Sequence, residues 1–251
     1  MPDPIRFVVC TYNLWNNQRW TQRQASLRSF LERHLPDILC VQELHPVSRA
    51  LLDLVLKTHR RIEDPLEGWL REGNIYWNRE LFDLIEYSAQ DIGILDAPQR
   101  HLFWARLRLR GDISGRSLLV STAHYTWYGT ELEKTEGISP RLAQARRTVQ
   151  ALNELAPHSE PLLFMGDLND WGHPLTILRE SGLEDSFAAL GLTPPPTWPA
   201  TPIAHGPPEV DDWILHRGPI HPMTSGVVDS YLGDFPPSDH KPVLATYRLL
   251  P

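Results

Sequence analysis

One decapeptide, Pro161-Leu-Leu-Phe-Met-Gly-Asp-Leu-Asn-Asp170, constrains this chain more than any other stretch. Leu162 to Met165 are apolar without polar alternation, the pattern of a strand covered on both faces. Gly166 lets the backbone turn without a Cβ in the way. Asp167 and Asn169, two positions apart, then project in the same direction from an extended chain. They offer one charged acceptor and one amide that both donates and accepts, which suits holding a water and a phosphate oxygen together. Alone, the stretch also reads as a strand followed by an Asx-rich turn.

The same organisation recurs along the chain. Ile5 to Asn13 is a β-branched, apolar run ending in Asn13, and Asp37 to Glu43 is a second run ending in Gln42-Glu43. Between them Thr21 to His34 carries Leu27, Phe30 and Leu31 at helical spacing, an amphipathic surface helix closed by Pro36. His45 to His59 is helical, with Val47, Leu51, Leu54 and Val55 on one face. Gly73 to Asn78, Leu81 to Tyr87 and Leu102 to Leu109 read as strands, and the turn Gly111-Asp-Ile-Ser-Gly115 leads into a returning strand, Arg116 to His124. Ser139 to Leu155 opens with Ser-Pro and keeps Leu142, Ala145, Val149 and Leu152 at helical intervals. His173 to Ser181 is a short helix, and Thr193 to Pro208 is a proline-rich surface loop. Asp211 to His216 and Val243 to Leu249 are closing strands, the latter entered through Ser238-Asp-His-Lys-Pro242. There is no internal sequence repeat.

Helices paired with strands in each half, with an antiparallel stretch in each, predict an α/β four-layer αββα sandwich: two packed mixed β-sheets flanked by helices. Composition agrees with one soluble globular domain over residues 1–251: 41% hydrophobic, 22% charged. The net charge of −7 supplies no general basic field for a polyanion, so nucleic acid would need a local patch or metal ions. Cys10 and Cys40 lie inside apolar runs and read as buried thiols. No leader or membrane span is visible, which makes the cytoplasm the expected location, with no obligate protein partner implied.

The polar residues collect where strands run out: Asn13, Glu43, Glu72, His124, Asp167, Asn169, Asp212, Asp239 and His240. Each has an ordinary reading: a turn residue at Asn13, a helix-dipole carboxylate at Glu43, a half-buried histidine at His124, an exposed turn at Asp239-His240. The ordered set outweighs those readings. Thr-Tyr-Asn-Leu-Trp, Val-Gln-Glu, Arg-Glu-Gly-Asn, Ala-His-Tyr, Gly-Asp-Leu-Asn, Asp-Trp-Ile-Leu and Ser-Asp-His-Lys-Pro together resemble the endonuclease/exonuclease/phosphatase superfamily, from Asn13 to Pro242.

That resemblance implies a Mg²⁺-dependent phosphoester hydrolase, with Mn²⁺ able to substitute and with phosphodiesterase or nuclease-like chemistry. A phosphatase or phosphodiesterase of a small molecule or lipid headgroup is the alternative, and an inactive binding module the weakest reading. It implies Glu43 as principal metal ligand, with Asn13 and Asp239 completing or supporting the metal site. Asp167 and Asn169 would handle the nucleophilic water and the phosphate, and Asp212 would orient His240. Glu72, followed by Gly73-Asn74, would pair with His124 and raise its pKa. Val210-Asp-Asp-Trp-Ile214 departs from the family's usual Arg-Ile-Asp-Tyr-Ile and leaves Asp211 as a competitor of Asp212, and Lys241 replaces the commoner arginine.

The chemistry wants these types of residue. A hard cation held by carboxylates neutralises charge on phosphorus, and the attacking water needs either Asp167 or His240 as its acceptor. For the substrate, a phosphoester with nucleic acid among the candidates, Asn74 and the aromatics Tyr125, Trp127 and Tyr128 are the expected contacts beside Asn169, with base stacking or loop packing both open. Arg141, Arg146 and Arg147 read as a solvated helical face with phosphate contact as the second option.

Overall fold

In the computed structural model the described residues are 5–93, 100–111 and 115–250; residues 112–114 of the expected Gly111–Gly115 turn lie outside them. Twelve strands among these residues form two six-stranded sheets. In sheet A, β1 (Arg6–Asn13) runs parallel to β2 (Ile38–Gln42), and the antiparallel strands β4 (Gly73–Asn78) and β3 (His59–Arg61) extend it on one side. On the other side lie β12 (Val243–Leu249) and β11 (Ile220–Val227). In sheet B, β7 (Ser117–His124) runs parallel to β8 (Leu162–Asp167). Antiparallel β6 (His101–Leu109) and β5 (Phe82–Asp91) flank it on one side, β10 (Asp212–Arg217) and β9 (Glu184–Asp185) on the other. Parallel neighbours need a crossover, and each sheet has one: α1 (Trp20–His34) joins β1 to β2, and α5 (Pro140–Leu155) lies between β7 and β8. The two sheets therefore share one strand order without sharing sequence.

Strand periodicity sorts the core into three layers. Val9, Ile38, Cys40, Ile75, Phe103, Val120, Met165 and Ile214 fill the space between the sheets. Their alternates turn outward: Cys10, Tyr12, Leu39 and Val41 pack on Leu27, Phe30 and Leu31 of α1, while Leu119, Leu162 and Phe164 pack on Ala145 and Leu152 of α5. The apolar runs lack polar alternation because both faces of each central strand are covered. Among the described residues no helix is long and apolar enough to cross a membrane.

The two-residue period also places the polar strand ends. Asn13 shares the face of Val9, Gln42 that of Cys40, His124 that of Val120, Asp167 that of Met165, and Asp212 that of Ile214. All five continue the inter-sheet layer at one end of the sandwich. Sheet register aligns them further, since Asp167 pairs with His124 on β7 and with Asp212 on β10, and Asn13 pairs with Gln42.

Several elements differ from the sequence expectation. Ile220–Val227 is a strand that the sequence reading leaves out. It is an edge strand with a register shift between Pro222 and Thr224, and proline and glycine hide its alternation. The helix after His45 is α2 (Pro46–Val55), shorter than the stretch to His59, because His59 enters β3. The short helices α3 (Glu67–Arg71) and α4 (Glu131–Glu136) carry too few residues to show a period; α6 (His173–Glu180) matches expectation. The proline-rich segment is not only a surface loop. Thr197 is buried, its hydroxyl accepts from the backbone N–H of Asp211 and Asp212, and its carbonyl accepts from Lys241 N.

Gly166 marks the tightest constraint in sheet B, where β8 lies between β7 and β10. A Cβ there would drive into the Ala123 carbonyl of the parallel neighbour. Gly166→Ala is therefore expected to lower stability by about 2–3 kcal/mol, a fall of roughly 5–10 °C in Tm for a domain of this size. Thermal unfolding followed by circular dichroism checks this; an unchanged Tm would mean that the strands separate at no cost.

Candidate active site

The end of the inter-sheet layer opens into a cleft of about 820 Å³ lined by Glu43, His124, Asp167, Asn169 and His240 together with Glu72, Arg100, His101 and Trp127. Asn13 ties the two sheets together at its floor. Its amide nitrogen donates to Asp167 Oδ2 (2.8 Å) and to Glu43 Oε1 (3.2 Å), while its oxygen accepts from Trp15 N (2.8 Å). Trp15 N takes one of the two lone pairs of that oxygen, and the amide nitrogen holds the carboxylates of Glu43 and Asp167 in place. Beneath it Gln42 donates to Thr11 and, across the sheets, to Thr122 Oγ1 at 2.8 Å. Ser238 Oγ donates to the Asn13 carbonyl (2.7 Å) and so brings the Asp239-His240 segment to the same place.

Left-handed backbone follows three of these strands, at Trp15 (φ 53°) and Asn16 (φ 48°), at Glu43 (φ 51°) and at Asn169 (φ 49°). Asparagine tolerates that conformation; for Glu43 the strain is of order 1–2 kcal/mol. Asn169 is held by its own N–H donating to Asp167 Oδ1 (2.8 Å) and by its side-chain amide donating to the Tyr125 carbonyl (2.9 Å).

Register resolves the Asp211–Asp212 ambiguity. Asp212 Oδ2 lies 2.8 Å from His240 Nδ1, and Asp212 Oδ1 is buried without a partner among the described residues. Asp211 makes no such contact; burial and the adjacent Asp212 push its carboxyl up to about 7. Burial opposes protonation of His240, but the charges of Asp212 and Asp167 and the bond to Asp212 prevail and raise its pKa well above the ordinary value. Burial likewise pushes Asp167 well up, with His240 acting against it. Asp239 is raised by burial, and the charge of Glu43 adds to that while His240 opposes it.

His124 differs from the sequence expectation. Glu72 does not reach it: Glu72 Oε2 lies 2.8 Å from His101 Nδ1, and Oε1 accepts from the His101 backbone N–H, also at 2.8 Å. His124 Nδ1 instead faces Arg100 Nη1 at 3.1 Å. A guanidinium only donates, so Nδ1 must accept and the ring proton sits on Nε2, which is 3.5 Å from Asp167 and 3.9 Å from Glu43. Burial, then the charges of Arg100 and His240, hold the His124 pKa well below the ordinary value. His124 is a neutral donor, not an acid raised by a carboxylate.

The expected substrate contacts are largely redistributed. Asn74 is fully buried, donating to the Ile62 and Trp69 carbonyls and accepting from Ile62 N and Ile75 N, which leaves nothing for a substrate. Tyr125 is core, its hydroxyl on Thr148 Oγ1 (2.8 Å). Trp127 is 48% exposed and lines the cleft, with the Arg100 guanidinium 5.8 Å from its ring; Tyr128 is 80% exposed but outside the lining. Arg141 is buried, bound to Glu133 and Asp170, while Arg146 and Arg147 are exposed as a helical face should be. Arg23, one turn before Leu27 on the same helix face, is also buried and donates to four backbone carbonyls around Trp15 and Pro237. The sequence reading omitted Arg100, His101 and Thr197. Arg100-His101 stands at the mouth of a strand as the other polar ends do, the one signal that could have drawn attention to it.

The donor chemistry suits a hard cation at Glu43 and Asp239, since the groups gathered there are carboxylates whose crowding and burial a divalent ion would relieve. A second candidate, Asp167–Asp212–His240, brings its donor atoms within 4.8 Å of one another. Its closest contact is the hydrogen bond between His240 and Asp212, and an ion there would have to displace that proton.

The model of the endonuclease/exonuclease/phosphatase family matches residues 10–240. The chain is similar to the YbhP protein of Escherichia coli (strain K12), 25% identical over 225 residues, covering 79% of this chain and 83% of that one. Similarity to bovine (Bos taurus) tyrosyl-DNA phosphodiesterase 2 is 24% identity over 170 residues, 66% of this chain and 43% of the bovine protein. Among solved structures, D. rerio TDP2 complexed with single-strand DNA product superposes with a TM-score of 0.80 at 20% identity, covering 96% and 98% of the two chains. Bacteroides thetaiotaomicron mannosyl-6-phosphatase gives 0.77 at 20% identity over 95% and 98%. These structures share the fold.

The His240–Asp212 pair makes a testable case. Asp212→Asn should lower the pH at which His240 releases its proton, as read by imidazole NMR, and Asp211→Asn should lower it far less. A histidine whose folded pKa is raised stabilises fully below its unfolded value, about 6.5, and that stabilisation is lost as pH rises through the folded pKa. The Asp212→Asn protein should therefore fall furthest below wild type at mildly acidic pH and approach it in alkali. A larger effect at Asp211 would contradict the assignment.

Proposed function

This chain belongs to the endonuclease/exonuclease/phosphatase family, and we propose that within it the chain is a Mg²⁺- or Mn²⁺-dependent phosphodiesterase. The observation carrying this reading is the single cleft in which Glu43, Asp167 and Asn169 face His124 and His240. Glu43 and Asp239 would hold the ion, with Asn13 fixing Glu43. Bound there, the ion would supply neutralisation of charge developing on the phosphate. The remaining work belongs to the chain. Asp167, oriented by Asn13 and Asn169, accepts the proton of the attacking water. His240 is kept protonated by Asp212 and is thus a poor base; it donates to a phosphate oxygen, and His124 Nε2–H donates to another. Asn169 positions the phosphate. Glu72 acts through His101 and not through His124.

A phosphodiester bearing an exposed or single-stranded base is the favoured substrate, because Trp127 presents an aromatic face to the cleft beside Arg100. The bovine relative is named a tyrosyl-DNA phosphodiesterase and a similar structure holds a single-strand DNA product, which supports the same direction. A small-molecule phosphoester is the second reading. It gains support from the burial of Tyr125 and the placement of Tyr128 outside the cleft, which leave one aromatic for stacking, and from the similar mannosyl-6-phosphatase fold.

Excess chelator should abolish turnover of bis(p-nitrophenyl) phosphate, and Mg²⁺ or Mn²⁺ should restore it. Glu43→Gln should lower kcat/KM at least about a hundredfold. Full turnover in chelator would remove the metal from the proposal. Substrate choice has its own test. Trp127→Ala is expected to raise KM for a short single-stranded oligonucleotide about tenfold and to affect the chromogenic diester much less, with Tyr128→Ala as the milder comparison. Equal changes on both substrates would favour the small-molecule reading.

A further inference from the structure

The two ends of the cleft are electrically unlike. Glu43, Asp167 and Asp239 crowd the end beside His240, whereas the far end presents Arg71, Arg100 and His101 against two carboxylates, Glu67 and Glu72. Both oxygens of Glu72 are engaged by His101: Oε1 takes its backbone N–H and Oε2 its ring Nδ1, each at 2.8 Å. Arg71 at the rim is neutralised by Glu67 at 3.0 Å. Arg100 hydrogen-bonds to no carboxylate among the described residues; one of its amino groups goes to His124, and its buried Nε has no partner. Asp91, opposite His101 on β5, lies outside the cleft lining and accepts from Gly93 N.

His101 itself is only 9% exposed, yet it lines the cleft, and its Nε2 has no partner among the described residues. Its position follows from register. Leu102 pairs with Ala123, so His101 and His124 stand one step further, on neighbouring strands. Strands lie about 4.8 Å apart. His101 shares the inter-sheet face of Phe103, as His124 shares that of Val120. An imidazole locked by a carboxylate on one nitrogen and open on the other is therefore placed one strand beyond the histidine that faces Asp167.

We propose that His101, oriented by Glu72 and backed by Arg100, is a second anion subsite of the cleft, selecting substrates with a further phosphate or carboxylate about one strand spacing from the scissile phosphate. The proposal rests on the reading of the cleft as a phosphoester site. The bond to Glu72 raises the His101 pKa, burial opposing it and the charges of Glu72 and Asp91 adding to it, which favours the protonated ring; with Nδ1 committed to Glu72, Nε2 is the nitrogen left for an anion. The second anion is the next backbone phosphate if the substrate is a nucleic acid, or a second phosphoryl group if it is a small molecule.

Calorimetry on the Mg²⁺-loaded protein separates these outcomes without relying on turnover. Thymidine 3′,5′-bisphosphate is compared with thymidine 5′-monophosphate, and fructose 1,6-bisphosphate with fructose 6-phosphate. The bisphosphate of at least one pair should bind about tenfold tighter, the pair that does so identifying the source. His101→Gln should remove most of that ratio, and Glu72→Gln should reduce it by freeing the ring. Equal affinities within both pairs overturn the subsite, as does a His101→Gln protein that loses affinity equally for one and two phosphates. Should His101→Gln fail to fold, the wild-type ratio and Glu72→Gln decide. Failure of the underlying reading is seen separately, as absence of metal-dependent hydrolysis of bis(p-nitrophenyl) phosphate by the wild type.

Discussion

The amide of Asn13 is the point on which the site depends. It leaves the last residue of a strand in one sheet and donates to Asp167, the last residue of a strand in the other, with Glu43 as a second acceptor. Two sheets joined only by apolar packing could slide, since dispersion and burial are not directional. A buried carboxylate with a fixed donor cannot, because losing that donor would leave a charge unsolvated, a penalty of several kcal/mol. The Gln42 bond to Thr122 repeats the constraint one layer deeper. Together they fix the spacing between the two sets of strand ends, and hence the width of the cleft.

Electrostatics then assigns different work to similar residues. His240 and His124 both face Asp167, at 3.8 and 3.5 Å, and both are buried. Their other nitrogens decide their state. His240 has a carboxylate behind it and is held cationic; His124 has a guanidinium behind it and is held neutral. His101, backed by Glu72, follows the pattern of His240. Burial favours the neutral ring in all three; the carboxylates behind His240 and His101 overcome it, whereas the guanidinium behind His124 adds to it.

Segments distant in sequence supply the scaffolding for this pattern. Thr197, from the proline-rich loop, fixes the backbone of Asp211 and Asp212 and receives Lys241 N, so the loop sets the approach of Asp212 to His240. Arg141 joins α5 to Glu133 of α4 and to Asp170, just beyond the Asp167–Asn169 turn. Buried arginines in such roles act by filling several acceptors at once.

Much of this was readable from the sequence, for a definite reason. Apolar runs that end in polar residues reveal strands and their exits, because the two-residue period and burial on both faces are local properties. The four-layer sandwich and the strand-end positions of Asn13, Glu43, Asp167, Asp212 and His240 follow from that. Partnership does not. Glu72 looked like the partner of His124, yet β6 inserts between them and places His101 in reach instead. Asn74, Tyr125 and Arg141 sit beside legible motifs but turn into the core, and nothing in their spacing reveals it. The sequence favours Asp212 over its neighbour Asp211 but does not exclude the latter, and the pairing of β10 with β8 shows which residue faces the inter-sheet layer. Side-chain chemistry and period are written along the chain, whereas the identity of a neighbour depends on which strand lies alongside, and that is decided only when the sheets assemble.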